Sequence, residues 1–141
     1  MENNEINAGY LLQLSGSYWQ TCTLHAAVKL DIFSILGDKK KSAKIVAKEI
    51  NSPERSTSML LNALCAMNLI KKISNEAGHE EYNNTEHSLI YLSKDSPQYI
   101  GFMIMHHHHL LEYWFRLDES IKTGSKITPQ IPIDENEQRE S

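Results

Sequence analysis

Apolar residues near the start of the chain recur with the spacing of an α-helix, which predicts one long helix over residues 8–30. A helix that is apolar on two sides has to be covered on two sides. A small domain covers one side, so the pattern predicts that a partner chain covers the other. Gly16 and Ser17 are poor helix formers, but they permit another backbone to approach closely. The two apolar stripes consist of Leu11, Leu14, Tyr18, Cys22 and Ala26 on one side, and of Leu12, Trp19, Ala27 and Leu30 on the other.

The next part of the chain predicts a helix-turn-helix. Asp31 is placed to cap a short helix over residues 32–36, and Ser42 is placed to cap the helix that follows. Pro53 opens a third helix, where its missing N–H costs nothing. Two helices of this length joined by a short polar turn form a helix-turn-helix. The side chains predicted to face inward are Ile45, Val46 and Ile50 on the second helix, and Met59, Leu60, Leu61, Leu64, Cys65 and Met67 on the third.

Two short strands and a last helix complete the pattern. Residues 69–74 and 81–84 predict strands, and the polar segment between them predicts a wing, so this part is predicted to be a winged helix. Thr85 is placed to cap a short helix over residues 86–92. The last helix is predicted over residues 98–122 and is ended by Gly124. Residues 127–141 have no amphipathic period and predict a linker or tail. The predicted fold class is mainly α, with a small two-stranded β wing.

Composition and charge narrow the function classes. Hydrophobic residues make up 40% of the 141 residues, which suffices for the core of one domain. The first residues are polar and acidic, unlike a secretory signal, and no apolar run approaches the ~18 residues of a membrane span. Cys22 and Cys65 lie in helical apolar patterns and are predicted to be buried thiols, which favours a reducing, cytoplasmic compartment. The net charge of −4 does not favour nucleic-acid binding.

Four consecutive histidines are the most conspicuous candidate for chemistry. Successive helical residues point ~100° apart, so four in a row cannot converge on one ion. His106 and His109 could share one, and Glu112 lies three residues further, but no complete ligand set is evident. We therefore predict no metal site, with one or two histidines lining a pocket and the others in solvent. The full run is His106, His107, His108 and His109.

Other catalytic and reading motifs are missing from the sequence. No G-x-G-x-x-G loop occurs, since the six glycines are isolated, so we predict neither a cofactor-binding nor a catalytic residue. Residues 53–70 contain one arginine, Arg55, beside Glu54, which makes a poor DNA-reading helix. The better basic cluster precedes this helix and is typical of a solvated face. It consists of Lys39, Lys40, Lys41, Lys44 and Lys48.

Four sequence phrases, in this order, carry a resemblance to a known family. They are A-x-x-L-D-I-F from Ala27, L-x-x-L-x-x-x-N-L-I from Leu61, Y-x-N-T from Tyr82, and W-x-x-L-x-x-x-x-x-x-G from Trp114. Over residues 8–126 the chain resembles the N-terminal dimerisation domain of the plant caffeic-acid and acetylserotonin type of S-adenosylmethionine-dependent O-methyltransferase. The resemblance implies an intertwined homodimer, a winged helix that does not bind DNA, and a catalytic domain expected after Ser141.

The resemblance also implies roles for particular residues. The last helix forms the roof, or lid, of an acceptor pocket, at positions matching Ile104, Met105, Leu110 and Trp114. The partner chain reaches into that pocket around Ser17 and Tyr18. Thioether and aromatic side chains suit a flat aromatic acceptor. From the residues alone, a plain core role for Met105 and Trp114 is the more common one.

Two functions follow as alternatives. The first is a dimerisation and lid domain, residues 1–126 with a linker over residues 127–141, of a small-molecule O-methyltransferase. S-adenosylmethionine is then the cofactor of the full-length parent, and the chain alone is expected to be inactive. The second is a stand-alone dimeric winged-helix regulator of transcription. The absence of net positive charge on residues 53–70 favours the first.

Overall fold

The computed structural model describes residues 7–128, which are mainly helical with one small antiparallel sheet. The chain divides into two compact units. The boundary between them lies between His108 and His109, inside a helix. The elements of the described residues are α1 (Ala8–Ser15), α2 (Tyr18–Lys29), α3 (Ile32–Leu36), α4 (Ala43–Glu49), α5 (Glu54–Ala66), β1 (Ile70–Ser74), β2 (Glu80–Asn84), α6 (Glu86–Tyr91), α7 (Gly101–Trp114) and α8 (Leu117–Thr123).

The sequence predicted one long helix near each end of the chain. Each of these helices is interrupted in the structure, so both predictions of a continuous helix were wrong. Gly16 ends α1, and the Ser17 hydroxyl donates to the carbonyl of Leu14 at 2.9 Å, which satisfies a carbonyl that helix continuation would otherwise use. In the second unit, α7 ends at Trp114 and α8 begins at Leu117. Gly124 ends α8 in the left-handed conformation, as predicted.

The core of the first unit lies between α2, α3, α4, α5 and the sheet. Val46, Leu61 and Leu64 are fully buried, as predicted from their helical spacing. Ile45 and Met59 were predicted to face inward and are exposed, by 48% and 65%. Each lies one or two residues from a buried position, and therefore ~100° or ~200° around its helix. The largest fully buried side chains are those of Tyr82, Phe33, Ile32, Leu36, Leu61, Leu64, Ile70 and Val46.

The two strands form a hairpin that is fixed to α3. Ile70 pairs with Asn84 at one end of the antiparallel ladder, and Ser74 with Glu80 at the other. These strands agree with the predicted ones to within one residue. The Asn84 amide group donates to the carbonyls of Phe33 and Gly37, each at 2.9 Å. The Phe33 carbonyl also accepts from the N–H of Gly37 at 3.0 Å, so Asn84 adds a second donor there, while at Gly37 it supplies a donor to a carbonyl that the end of α3 leaves open.

Replacing Asn84 with alanine should lower the free energy of unfolding by about 1–3 kcal/mol, because the carbonyl of Gly37 loses its donor and that of Phe33 loses one of its two. Urea unfolding followed by far-ultraviolet circular dichroism measures the change. Asn83 on the same strand provides the matched control, since its side-chain oxygen is buried with no hydrogen-bond partner among the described residues. Asn83→Ala should therefore cost less than Asn84→Ala, and equal losses in the two variants would contradict this role for Asn84.

The predicted helix caps and thiols have mixed outcomes. The Ser42 hydroxyl accepts from the N–H of Ile45 at 3.3 Å, as predicted. Asp31 makes no cap and instead forms an ion pair with Lys94 at 2.8 Å, while Thr85 donates its hydroxyl to the carbonyl of Leu69. Both cap predictions were wrong, because other groups compete for these side chains. Of the two thiols predicted to be buried, Cys22 is exposed and Cys65 is half-buried.

Candidate interaction surface

Helix α1 is apolar, yet none of its side chains is buried. Leu12 is 72% exposed, and Leu11 and Leu14 are more than half exposed. The side-chain oxygen of Asn7 caps the helix by accepting from the N–H of Tyr10 at 2.9 Å. A helix of eight residues is marginal in water without tertiary packing. Its apolar side chains therefore require a cover.

Helix α2 divides into an exposed first half and a buried second half. Tyr18 and Trp19 are 53% and 66% exposed and pack edge to face on each other, with ring centroids 5.8 Å apart. Ala27 and Val28, near the other end, lie in the core. The apolar surface of α1 thus continues past the break into α2. We call this the N-terminal apolar surface; it consists of Tyr10, Leu11, Leu12, Leu14, Tyr18 and Trp19.

The N-terminal apolar surface belongs to a segment without charge. Residues 8–28 contain no Asp, Glu, Lys or Arg. Contiguous exposed apolar side chains mark interaction sites, and the centre of an interface is depleted in charged residues and enriched in Tyr and Trp. Ser17 and Tyr18, the residues predicted to enter a partner's pocket, are both exposed at the break between α1 and α2.

The four predicted lid residues are divided between the two units. In the first unit, Ile104 is 9% exposed within the core cluster, and Met105 is half-buried against it. In the second unit, Leu110 is 36% exposed and Trp114 is 64% exposed. The side chains of Ile104 and Met105 are thus buried, fully or in part, by packing within their own unit. Those of Leu110 and Trp114 are more exposed to solvent.

An open groove of about 450 Å³ lies in the second unit and includes both of these residues. Small-molecule sites commonly measure ~300–1,000 Å³ and are mostly apolar with a few polar groups. The helical spacing of residues 110, 113, 114 and 117 was the sequence signal for this groove, although only two of them were predicted. Its lining consists of Leu110, Tyr113, Trp114, Leu117, Ser120, Lys126 and Ile127.

The histidine run provides a contact that sequence reasoning missed. His25 of α2 is buried, and its ring lies edge to face against that of His108, with centroids 5.3 Å apart and planes at 89°. Burial lowers the pKa of His25, and the nearby His108 and His107 lower it further. Within residues 7–128, no group of three or more His, Cys, Asp or Glu side chains could hold a metal ion.

Comparison with known proteins decides the family. The family model of the O-methyltransferase dimerisation domain matches residues 12–94. The chain belongs to this family. The match confirms the resemblance found in the sequence, and it does not favour the stand-alone regulator. The N-terminal apolar surface lies largely within the matched part of this dimerisation domain.

Relatives of the dimerisation domain include enzymes that methylate different acceptor atoms. The chain is 28% identical over 122 residues to the tetracenomycin polyketide synthesis 8-O-methyl transferase TcmO of Streptomyces glaucescens. The matched residues cover 86% of this chain and 35% of TcmO. The chain is 30% identical over 97 residues to the N,N-dimethyltransferase OxyT of Streptomyces rimosus, covering 69% of this chain and 27% of OxyT.

Solved structures include a similar fold in a human enzyme. The dimerisation domain superposes on human N-acetylserotonin methyltransferase, crystallised with S-adenosylmethionine, with a TM-score of 0.79 and 25% identity, covering 96% of this chain and 41% of that one. The chain spans about a third of the length of the curated relatives it matches. No helix within residues 7–128 combines the length and apolar character needed to cross a bilayer.

Proposed function

We propose that the chain is the dimerisation and acceptor-pocket lid domain of an S-adenosylmethionine-dependent small-molecule O-methyltransferase. The domain extends over residues 1–126, with α4, α5 and the hairpin as a winged helix, and residues 127–141 connect it to a catalytic domain. The observation that carries the proposal is the N-terminal apolar surface, which is uncharged and open in a single chain. It lies in a chain whose family is that of O-methyltransferase dimerisation domains.

The proposed partner is a second copy of the chain. Two such copies bury their N-terminal apolar surfaces against each other or against neighbouring apolar surfaces, in an intertwined homodimer. Obligate interfaces bury ~2,000 Å² or more in total, and α1 with the exposed first half of α2 is the part of each chain proposed to supply it. The half-exposed α2 supports this assignment, since its buried end fixes the helix to its own core while the other end remains available.

The proposed acceptor is a small aromatic molecule. Leu110 and Trp114 lie in a groove of the second unit whose apolar lining suits a flat ring. Met105 belongs to the first unit and not to this groove, and its part in the lid is proposed from its half-buried thioether alone. Ser17 and Tyr18 are proposed as the partner's contribution, because both lie exposed at the break between α1 and α2, within the segment proposed to enter the interface. Ile104 is proposed to support the lid from the core side, in view of its burial. Methyl transfer itself, from S-adenosylmethionine to an acceptor hydroxyl, belongs to the catalytic domain.

Sedimentation velocity and calorimetry on the chain as given test the proposal together. We expect a dimer at micromolar concentration, and no saturable binding of S-adenosylmethionine, since no glycine-rich cofactor loop is present. A monomer would contradict the role in dimerisation. Micromolar affinity for the cofactor would contradict the assignment of cofactor binding to another domain, so the two measurements address separate parts of the proposal.

A further inference from the structure

The contact between His25 and His108 joins α2 to the first half of α7 inside the first unit. His25 is 4% exposed, and its Nδ1 has no hydrogen-bond partner among residues 7–128. Buried polar atoms in native proteins are nearly always hydrogen-bonded, so each exception calls for an explanation. The ring of His25 packs edge to face on that of His108, with centroids 5.3 Å apart. The same ring carries the polar Nδ1 atom that has no hydrogen-bond partner among the described residues.

We propose that His25 and His108 form a proton-controlled contact, which holds the first half of α7 against α2 while His25 is neutral and releases it when His25 is protonated. The elements around His25 offer nothing to balance a positive ring. His108 and His107 on α7 both disfavour that charge, and Lys29 follows one turn later on α2 itself. Helix α3, which packs on α2, contains no titratable side chain.

Helix α5, which also packs on α2, contributes no balancing charge either. Its titratable groups are Glu54, Arg55 and Cys65, and none of them acts on His25. Among residues 7–128, no carboxylate acts on His25, so a cation there would be poorly hydrated and would lack a carboxylate partner from this part of the chain. Burying a charge under these conditions is costly, and the group loses its proton or the structure opens.

The direction of the pH response follows from the lowered pKa of His25. With the contact closed, His25 holds its proton less tightly than a histidine in water, whose pKa is about 6.5. The open state consequently binds more protons as the pH falls through that value. The contact is fully stable above about pH 6.5 and weakens below it, by about tenfold in the closing equilibrium for each unit by which the closed-state pKa is lowered.

Release of this contact has a local readout. Ile104 lies in the core cluster, and Met105 packs against it, so release of the first half of α7 leaves this part of the helix without tertiary packing. Short helical segments are marginal in water, so the hydrogen bonds of these amides, such as that of the Ile104 N–H to the Ile100 carbonyl, then open more often. Leu61 and Leu64 of α5 lie in the same core but on another helix. Their amides respond to global unfolding and not to a local release of α7.

Hydrogen exchange by NMR on the whole chain at about pH 7.5 and about pH 5.5, corrected for the intrinsic pH dependence of exchange, tests the proposal. We expect protection of Ile104 and Met105 to fall at the lower pH, and protection of Leu61 and Leu64 to remain. In His25→Phe, which keeps an aromatic ring that cannot be protonated, the loss should disappear. In His106→Gln, which changes an exposed histidine that does not act on His25, it should persist.

Three results would overturn the proposal: unchanged protection in the native chain, an equal loss in His25→Phe, or a His25 ring that titrates at or above about pH 6.5. If His25→Phe fails to fold, His108→Phe removes the second of the three causes that lower the pKa of His25, and the pH response should become smaller without disappearing. The ring titration of His25 needs no variant, and a pKa at or above about 6.5 overturns the proposal by itself.

Discussion

Replacing Leu14 with aspartate should convert the proposed dimer into monomers. Leu14 is 60% exposed on α1 in the single chain and belongs to the N-terminal apolar surface. Once a partner covers this surface, the new carboxylate is buried without a counter-charge, at a cost of several kcal/mol. A symmetric dimer carries the change twice, so the total is expected to reach about 4 kcal/mol or more, a loss in affinity of about a thousandfold. Sedimentation velocity at micromolar concentration measures the shift.

A matched pair of substitutions separates loss of the interface from a general effect of added charge. Trp19 in the N-terminal apolar surface and Met59 on α5 are 66% and 65% exposed, so both are large apolar side chains of equal openness. Trp19→Asp should dissociate the dimer as Leu14→Asp does, whereas Met59→Asp should leave it intact. Dimers that persist in both Leu14→Asp and Trp19→Asp would show that another surface holds the protomers together.

Replacing Phe33 with alanine should bring the domain to the edge of unfolding. Phe33 is fully buried on α3, where the carbonyl group of the same residue accepts from Asn84. Truncation of a buried phenylalanine costs about 3–5 kcal/mol, through lost burial and the cavity left behind. Domains of this size are stable by only about 5–15 kcal/mol in total. Urea unfolding at a fixed protein concentration measures the loss, and the concentration matters because association adds to stability.

Phe115 gives the control for Phe33, because the same side chain there is 70% exposed. Phe115→Ala should change the free energy of unfolding by no more than about 0.5 kcal/mol. A loss at Phe33 no larger than that at Phe115 would mean that the cluster around α3 is not the core that stabilises the domain.

The sequence predicted elements more reliably than the points at which they break. The strands, α3 and the helices around Leu61 and Val46 follow from apolar periodicity, which reports the face that a core will cover. The break at Gly16 escaped the same reasoning, because the apolar stripes run on from α1 into α2. A continuous stripe of apolar residues shows that two segments bury the same side. It does not show whether the two segments form one helix or two.

The apolar pattern also could not predict which individual side chains of a short helix are buried. Ile45 and Val46 are adjacent apolar residues on α4, and the sequence does not distinguish them. The packing of α5 and the sheet against α4 determines that Val46 is buried and Ile45 exposed. The contact of His25 with His108 was missed for a related reason. The two residues belong to distant segments, and nothing in either local pattern marks them as neighbours.

The uncharged character of residues 8–28 bears on how protomers choose each other. Charges across an interface reject wrong partners and accelerate the encounter of right ones, and both effects depend on salt. A contact formed by this segment lacks that means of discrimination. Its association should be nearly insensitive to ionic strength, and selection among related domains in one cell should rest on side-chain shape alone. Paralogous subunits with a similar apolar outline would then exchange and form mixed dimers.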